Sequence, residues 1–161
     1  ISYNTAAFNI GLEYEWTVCT YGDQAANGSI VLNDNLHMGD NRPEYRYSEA
    51  SKLICVLDMF PDLTAVAAHL GGYKAWDESV PLLAGRKNVW YDTSSALWAM
   101  TPEKADEIIG KLGVETVMFG TDYPVVNTKE ELERFFRLRL TDAQREDILW
   151  NNAMRFFGFD D

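Results

Sequence analysis

The chain has two histidines, His37 and His69, and each stands where it could act on a ligand. His37 opens His37-Met38-Gly39-Asp40, and His69 lies in Ala67-Ala68-His69-Leu70-Gly71-Gly72. A third candidate, Asp122, lies in Phe119-Gly120-Thr121-Asp122-Tyr123-Pro124. Neutral imidazole is a common metal ligand and exchanges protons near neutral pH. A carboxylate complements imidazole on zinc or a similar divalent ion, and it can accept a proton from metal-bound water. His37, His69 and Asp122 are therefore the candidate metal ligands, and His69 and Asp122 the candidate catalytic pair. Asp40 reads as a brace for its loop or as a hydrogen-bond partner of a ligand. Asp92, in Asp92-Thr93-Ser94-Ser95, reads as an Asx-type turn or cap. Arg42, Tyr73 and Trp98 are candidates to line a pocket for an anionic or aromatic substrate, with Trp76 as a further aromatic. Gly71-Gly72 reads as a tight turn or a close backbone approach to a ligand. No GxGxxG or P-loop spacing is present.

The elements that must position these groups follow from the spacing. His37, His69, Asp92 and Asp122 are separated by 32, 23 and 30 positions. A (β/α) barrel of eight units uses roughly 31 residues per unit and collects its functional groups at successive strand ends. Residues 37–161 then hold about four units. The expected fold class is α/β: the C-terminal half of a TIM (β/α)8-type barrel, with parallel strands near 30–36, 64–68, 88–91 and 115–119. Leu63–Ala68 is continuously apolar or small, which suits a strand buried on both faces.

Helices fill the intervals. Ser48 is placed to cap a helix with Ala50, Leu53, Ile54 and Leu57 on one face, ended by Phe60-Pro61-Asp62. A second helix is expected near Trp76–Ala84. Thr101-Pro102 starts a third, with Ala105, Ile108, Ile109 and Leu112 inward and Gly113 as its stop. Lys129–Leu138 is a charged amphipathic helix. Thr141-Asp142-Ala143-Gln144 is a capping box that opens a last helix with Ile148, Leu149, Asn152 and Phe156 inward and Gly158 at its end. Residues 1–36 are expected to form a divergent N-terminal segment, with β-prone Thr17–Tyr21 and Ser29–Leu32, ahead of a half-barrel over 37–161.

Composition narrows the function classes. The chain has 161 residues, 47% of them hydrophobic, enough for one domain with a core. Its formal charge of −11, from 14 basic and 25 acidic residues, argues against nucleic acid as a partner and gives no support for an anionic membrane surface. Cys19 and Cys55 have no CxxC spacing, Cys55 is expected to be a buried thiol, and no disulfide is expected. No apolar run approaches the roughly 18 residues of a membrane helix and no signal peptide is visible, so the cytoplasm is the expected compartment. The first residue is Ile, which reads as a processed product or a fragment.

Taken in order, His37-Met38-Gly39-Asp40, Ala68-His69-Leu70-Gly71-Gly72, Asp92-Thr93-Ser94-Ser95, Phe119-Gly120-Thr121-Asp122-Tyr123-Pro124 and Asn152-Ala153…Phe157-Gly158 resemble the amidohydrolase superfamily, in particular its amidohydrolase-2 group. The resemblance implies a distorted TIM barrel with one divalent metal ion, usually zinc. It matches His37 to the family's fifth-strand metal histidine and His69 to the sixth-strand histidine, which binds metal or acts as acid–base. It matches Asp122 to the eighth-strand aspartate, which binds metal and handles the proton. The family's His-x-His pair after the first strand has no counterpart here. The implied activity is metal-dependent hydrolysis of a small carboxylate, amide or ester. The alternatives are a metal-dependent decarboxylase of the same family and a non-catalytic half-barrel interaction module. The expected partners are a small-molecule substrate and either further copies of the chain or a missing N-terminal half.

Overall fold

Three short apolar runs alternate with helices and make a parallel sheet. In the computed structural model the described residues are 38–39 and 48–159, together with the backbone of the strands at 4–8, 16–20 and 31–32. The parallel sheet contains β4 (Ala65–Ala67), β5 (Val89–Asp92) and β6 (Val117–Met118), in that order. Its register pairs Ala65 with Val89, Ala67 with Tyr91, and Tyr91 with Val117. All three residues of β4 are buried, as a strand covered on both faces must be. These are the strands expected at 64–68, 88–91 and 115–119, although Val114–Thr116 is a 3₁₀ turn that delays β6.

The fourth expected strand behaves differently. β3 (Val31–Leu32) pairs antiparallel with β2 (Trp16–Thr20), which pairs antiparallel with β1 (Asn4–Phe8). The expectation of a parallel strand at 30–36 is corrected accordingly. The stretch between Thr20 and Val31 is shorter than the dozen or more residues that a parallel crossover needs, whereas antiparallel neighbours join through short links.

The helices are α1 (Ala50–Met59), α2 (Trp76–Leu83), α3 (Pro102–Leu112) and α4 (Thr128–Phe135), followed by α5 (Asp142–Glu146), a π-helical turn (Asp147–Asn151) and α6 (Asn152–Phe157). Thr101 and Asn127 cap α3 and α4 through their side chains, and the Thr141–Gln144 capping box is formed. Gly113 and Gly158 end their helices at φ of 97° and 68°, where a side chain would be strained. Ser48 does not cap α1: Glu49 takes that position and makes no side-chain cap bond. Leu53, Leu57, Leu83, Ile108, Ile109 and Ile148 are buried in one core, each worth about 1.5–3 kcal/mol of transfer free energy. Cys55 is exposed rather than buried. Ala50, Leu53 and Leu57 define the inward stripe of α1, and a residue two positions from Leu53 points elsewhere. Val66, Val89 and Val117 are buried within this chain.

The last helical segment fixes β6. The Asn152 side-chain amide donates to the carbonyls of Val114 (2.7 Å) and Val117 (2.6 Å), and the Phe119 N–H donates to the Ile148 carbonyl (2.8 Å). The chain leaving β6 toward Asp122 is thereby held on both sides.

Candidate active site

Because the three strands run parallel, their C-terminal ends share one edge of the sheet. His69 begins just past β4, Asp92 ends β5, and Asp122 follows β6. His69 and Leu70 take left-handed conformations, with φ of 59° and 53°, in the turn His69–Gly71. Three contacts hold that strained turn. The indole N–H of Trp76 donates to the His69 carbonyl at 2.7 Å, the His69 backbone N–H donates to Asp92 Oδ1 at 3.2 Å, and the imidazole Nδ1 lies 2.6 Å from the Ser94 carbonyl. A carbonyl only accepts, so Nδ1 is the protonated nitrogen, and in the neutral ring Nε2 carries the lone pair.

Asp92 is the hub of this arrangement. Its Oδ1 accepts from the backbone N–H of His69, from the backbone N–H of Ser94 at 2.9 Å and from the Ser94 hydroxyl. The Ser94 hydroxyl oxygen also lies 3.1 Å from His69 Nδ1. Burial pushes the Asp92 carboxyl above its usual range, while the Ser94 hydroxyl, the nearby imidazole and the two backbone donors oppose the shift. Asp122 is reached from the next residue along: the Ser95 hydroxyl donates to Asp122 Oδ2 at 2.7 Å. Ser95 and Asp122 have φ of 47° and 63°. The ends of β5 and β6 are tied by the Thr93 hydroxyl, which donates to the Gly120 carbonyl (2.9 Å) and accepts from the Gly120 N–H (3.0 Å). The Gly120 Cα lies against this pair of strand ends, where an added Cβ would meet the Cβ atoms of Asp92 and Ser94 at an ordinary contact distance of 3.4 Å.

His69 and Asp122 are thus mounted on consecutive residues, Ser94 and Ser95, whose Cα atoms are about 3.8 Å apart. His37, Asp40 and Arg42 lie outside the described residues. Met38 is buried, and its carbonyl accepts from the Tyr73 N–H at 2.5 Å, which joins the Met38–Gly39 stretch to the loop that follows His69. A Cβ on Gly39 would stand 3.1 Å from the Gly72 Cα, another close backbone approach. The Tyr73 ring lies 5.8 Å from that of His69 and 6.2 Å from that of Trp98, which is 43% exposed. Among the described residues no group of three or more His, Cys, Asp and Glu is assembled for a metal ion. The donor chemistry of the two placed candidates nevertheless suits one. A ligating histidine usually gives its other N–H to a carbonyl or carboxylate, as His69 gives Nδ1–H to Ser94, and a ligating carboxylate is itself hydrogen-bonded, as Asp122 is by Ser95. Sequence reasoning reads Asp92-Thr93-Ser94-Ser95 as a turn, and Ser94 N–H to Asp92 Oδ1 is that turn. It misses that the same four residues grip both neighbouring strand ends. The available signal was a run of four polar side chains directly after a buried strand.

Comparison with known proteins gives this geometry a family. A sequence model of the amidohydrolase family matches residues 18–159, and the chain belongs to that family, within its amidohydrolase-2 group. A 2-amino-3-carboxymuconate-6-semialdehyde decarboxylase of Caenorhabditis elegans is 27% identical over 157 residues, covering 79% of this chain and 39% of that protein. An uncharacterized TIM-barrel protein of Bordetella bronchiseptica superposes with a TM-score of 0.60 at 30% identity, over 75% of this chain and 44% of that one. A dihydroxybenzoic acid decarboxylase of Polaromonas, solved with manganese and the inhibitor 2-nitroresorcinol, superposes with a TM-score of 0.54 at 20% identity, over 66% of this chain and 37% of that one. The chain spans about two fifths of the length of these relatives. Its fold is part of a TIM barrel, with parallel strands alternating with helices. No helix among the described residues is long and apolar enough to cross a membrane.

Proposed function

We propose that this chain is the C-terminal portion of a metal-dependent decarboxylase acting on a conjugated carboxylic acid. The observation that carries the reading is the mounting of His69 and Asp122 on Ser94 and Ser95, in a chain that is similar to decarboxylases of the family. The proposed ligands of the metal are His37, His69 and Asp122, with zinc or manganese as the ion. Bound there, the metal would hold the substrate's oxygens and draw electron density from the reacting carbon.

The chain's own residues do the rest. The Ser94 carbonyl accepts from Nδ1 of His69 while Asp92 holds the His69 backbone N–H, which leaves Nε2 with its lone pair for the ligand. Ser95 fixes one oxygen of Asp122 and leaves the other oxygen to the ligand side. The bond between the carboxylate and its carbon breaks, carbon dioxide departs, and the electron pair stays on the carbon. A proton taken from solvent and relayed through Asp122 is then added to that carbon in place of the departed carbon dioxide. Tyr73 and Trp98, with Arg42, bind the planar acid. Completion of the barrel by an N-terminal half or by further copies of the chain accompanies this activity.

The test is carbon dioxide release from 2,6-dihydroxybenzoate by the protein that carries this chain, loaded with zinc or manganese. Resorcinol and carbon dioxide in equal amounts are expected. Absence of release, together with hydrolysis of an aryl ester or amide, would replace this reading with hydrolysis.

A further inference from the structure

Lys74 places a positive charge beside the candidate site in a protein whose formal charge is −11. Its ammonium nitrogen lies 5.0 Å from the centre of the Tyr73 ring and 5.6 Å from that of Trp98. Lys74 has φ of 54°, a conformation that a lysine adopts only when its surroundings impose it. The surroundings do so: Tyr73 N–H is bonded to the Met38 carbonyl, and Ala75 N–H to the Gly72 carbonyl at 3.0 Å. The backbone at Lys74 is therefore held between two hydrogen-bonded residues in the loop that follows the His69–Gly71 turn. No carboxylate among the described residues forms an ion pair with it. Tyr73 is the shared neighbour, with the imidazole of His69 in edge contact on one side and the Lys74 ammonium over its face.

We propose that Lys74, with the rings of Tyr73 and Trp98, forms an anion subsite that selects flat acids bearing a second acidic group besides the carboxylate at His69 and Asp122. An exposed cation–π contact is weaker than a charge-assisted hydrogen bond to a carboxylate, so the ammonium exchanges the rings for an anion at little cost. The rings supply a flat apolar surface for the conjugated body of the ligand. The reacting carboxylate lies toward His69, and the second anion lies toward Lys74. This inference rests on the placement of the reacting carboxylate proposed above, and it adds that among planar acids those with a second acidic group are bound in preference.

The experiment compares binding of isophthalate, a flat diacid, with binding of benzoate, its monoacid counterpart, to the metal-loaded protein that carries this chain. Tryptophan fluorescence or calorimetry reports affinity. The unsubstituted protein is expected to prefer isophthalate by about tenfold, the worth of one charge-assisted hydrogen bond. Lys74→Asn keeps a residue that tolerates the left-handed backbone, and it should lower isophthalate binding to the benzoate level while leaving benzoate unchanged. Lys74→Arg should retain the preference. A preference that survives in Lys74→Asn, or no preference and no binding in the unsubstituted protein, overturns the subsite. Selective binding without carbon dioxide release counts against decarboxylation and leaves the subsite standing.

Discussion

At the scale of single residues, the site depends on hydrogen bonds that serve two strand ends from one loop. The Ser94 main-chain carbonyl fixes the tautomer of His69 and the Ser95 hydroxyl orients Asp122, so the Ser95 side chain can be removed without touching a proposed ligand. Ser95→Ala should weaken metal affinity or turnover by roughly 10–100-fold, the usual effect of losing a partner of a ligating side chain, with little change in thermal stability. Metal titration of the purified variant checks this, and wild-type affinity would remove Ser95 from the machinery. His69→Ala is expected to abolish turnover while circular dichroism remains native, and retained turnover would exclude His69 from the chemistry. Asp92→Ala belongs to a different class. It strips the acceptor from the buried N–H groups of both His69 and Ser94, and about 1–3 kcal/mol per unsatisfied group makes it a stability variant as well. The sequence offers His69 and Asp122 as candidates because their types are chemically distinctive and each follows an apolar run. It concealed the work of Asp92, Ser94 and Ser95, because a polar run after a strand is also what an ordinary turn requires.

At the scale of elements, the helices were legible wherever local chemistry fixes them. Thr101-Pro102, the Thr141 capping box, Gly113 and Gly158 all do what their sequence signals require. Ser48 and Cys55 were misread because cap choice and facing turn on a one- or two-residue shift, which an apolar pattern of four residues cannot resolve. The pairing of β3 was misread because pairing partners are non-local. A barrel period predicts a parallel neighbour, and the short link from β2 favours an antiparallel one. Helix α4 also holds a feature with no signal in its amphipathic pattern. Glu131 is fully buried on it, ion-paired to Arg134 at 2.9 Å. Burial raises its pKa above the ordinary 4.5, and Arg134 only partly offsets this. The folded state then holds the Glu131 proton more tightly than the unfolded state does. This contribution favours folding at low pH and is lost as pH rises from 4.5 through the folded-state pKa. Glu131→Gln should therefore be relatively more stable against the wild type at pH 7 than at pH 4. Denaturant titration at both pH values reads the difference, and an unchanged or inverted difference would show that Arg134 governs the pair.

At the scale of the whole molecule, the parallel sheet of β4, β5 and β6 is about three eighths of a barrel's strands, and closure is what a barrel uses to remove sheet edges. Among the described residues β4 and β6 each pair on one side only within that sheet. The helical segment that packs on β6 carries Trp150 (62% exposed) in its π turn and Phe157 (44%) at its end, with Phe159 (64%) just beyond. The Phe157 and Phe159 rings are stacked 5.9 Å apart, and Phe156 turns inward to meet Trp90. Three large exposed aromatics beside an open strand edge are more than scattered surface residues need, and apolar patches of this kind mark interfaces. This face is expected to be covered by a second copy of the chain. Sedimentation at micromolar concentration should show the isolated chain associating. Phe157→Ser with Phe159→Ser should shift it toward monomer without loss of helical signal, because neither side chain belongs to the buried core. Charge repulsion at −11 opposes association, so added salt should strengthen it. A compact monomer that is stable at low and high salt, with the double variant indistinguishable from it, would refute the interface and require that the edge of β6 be closed within the chain itself.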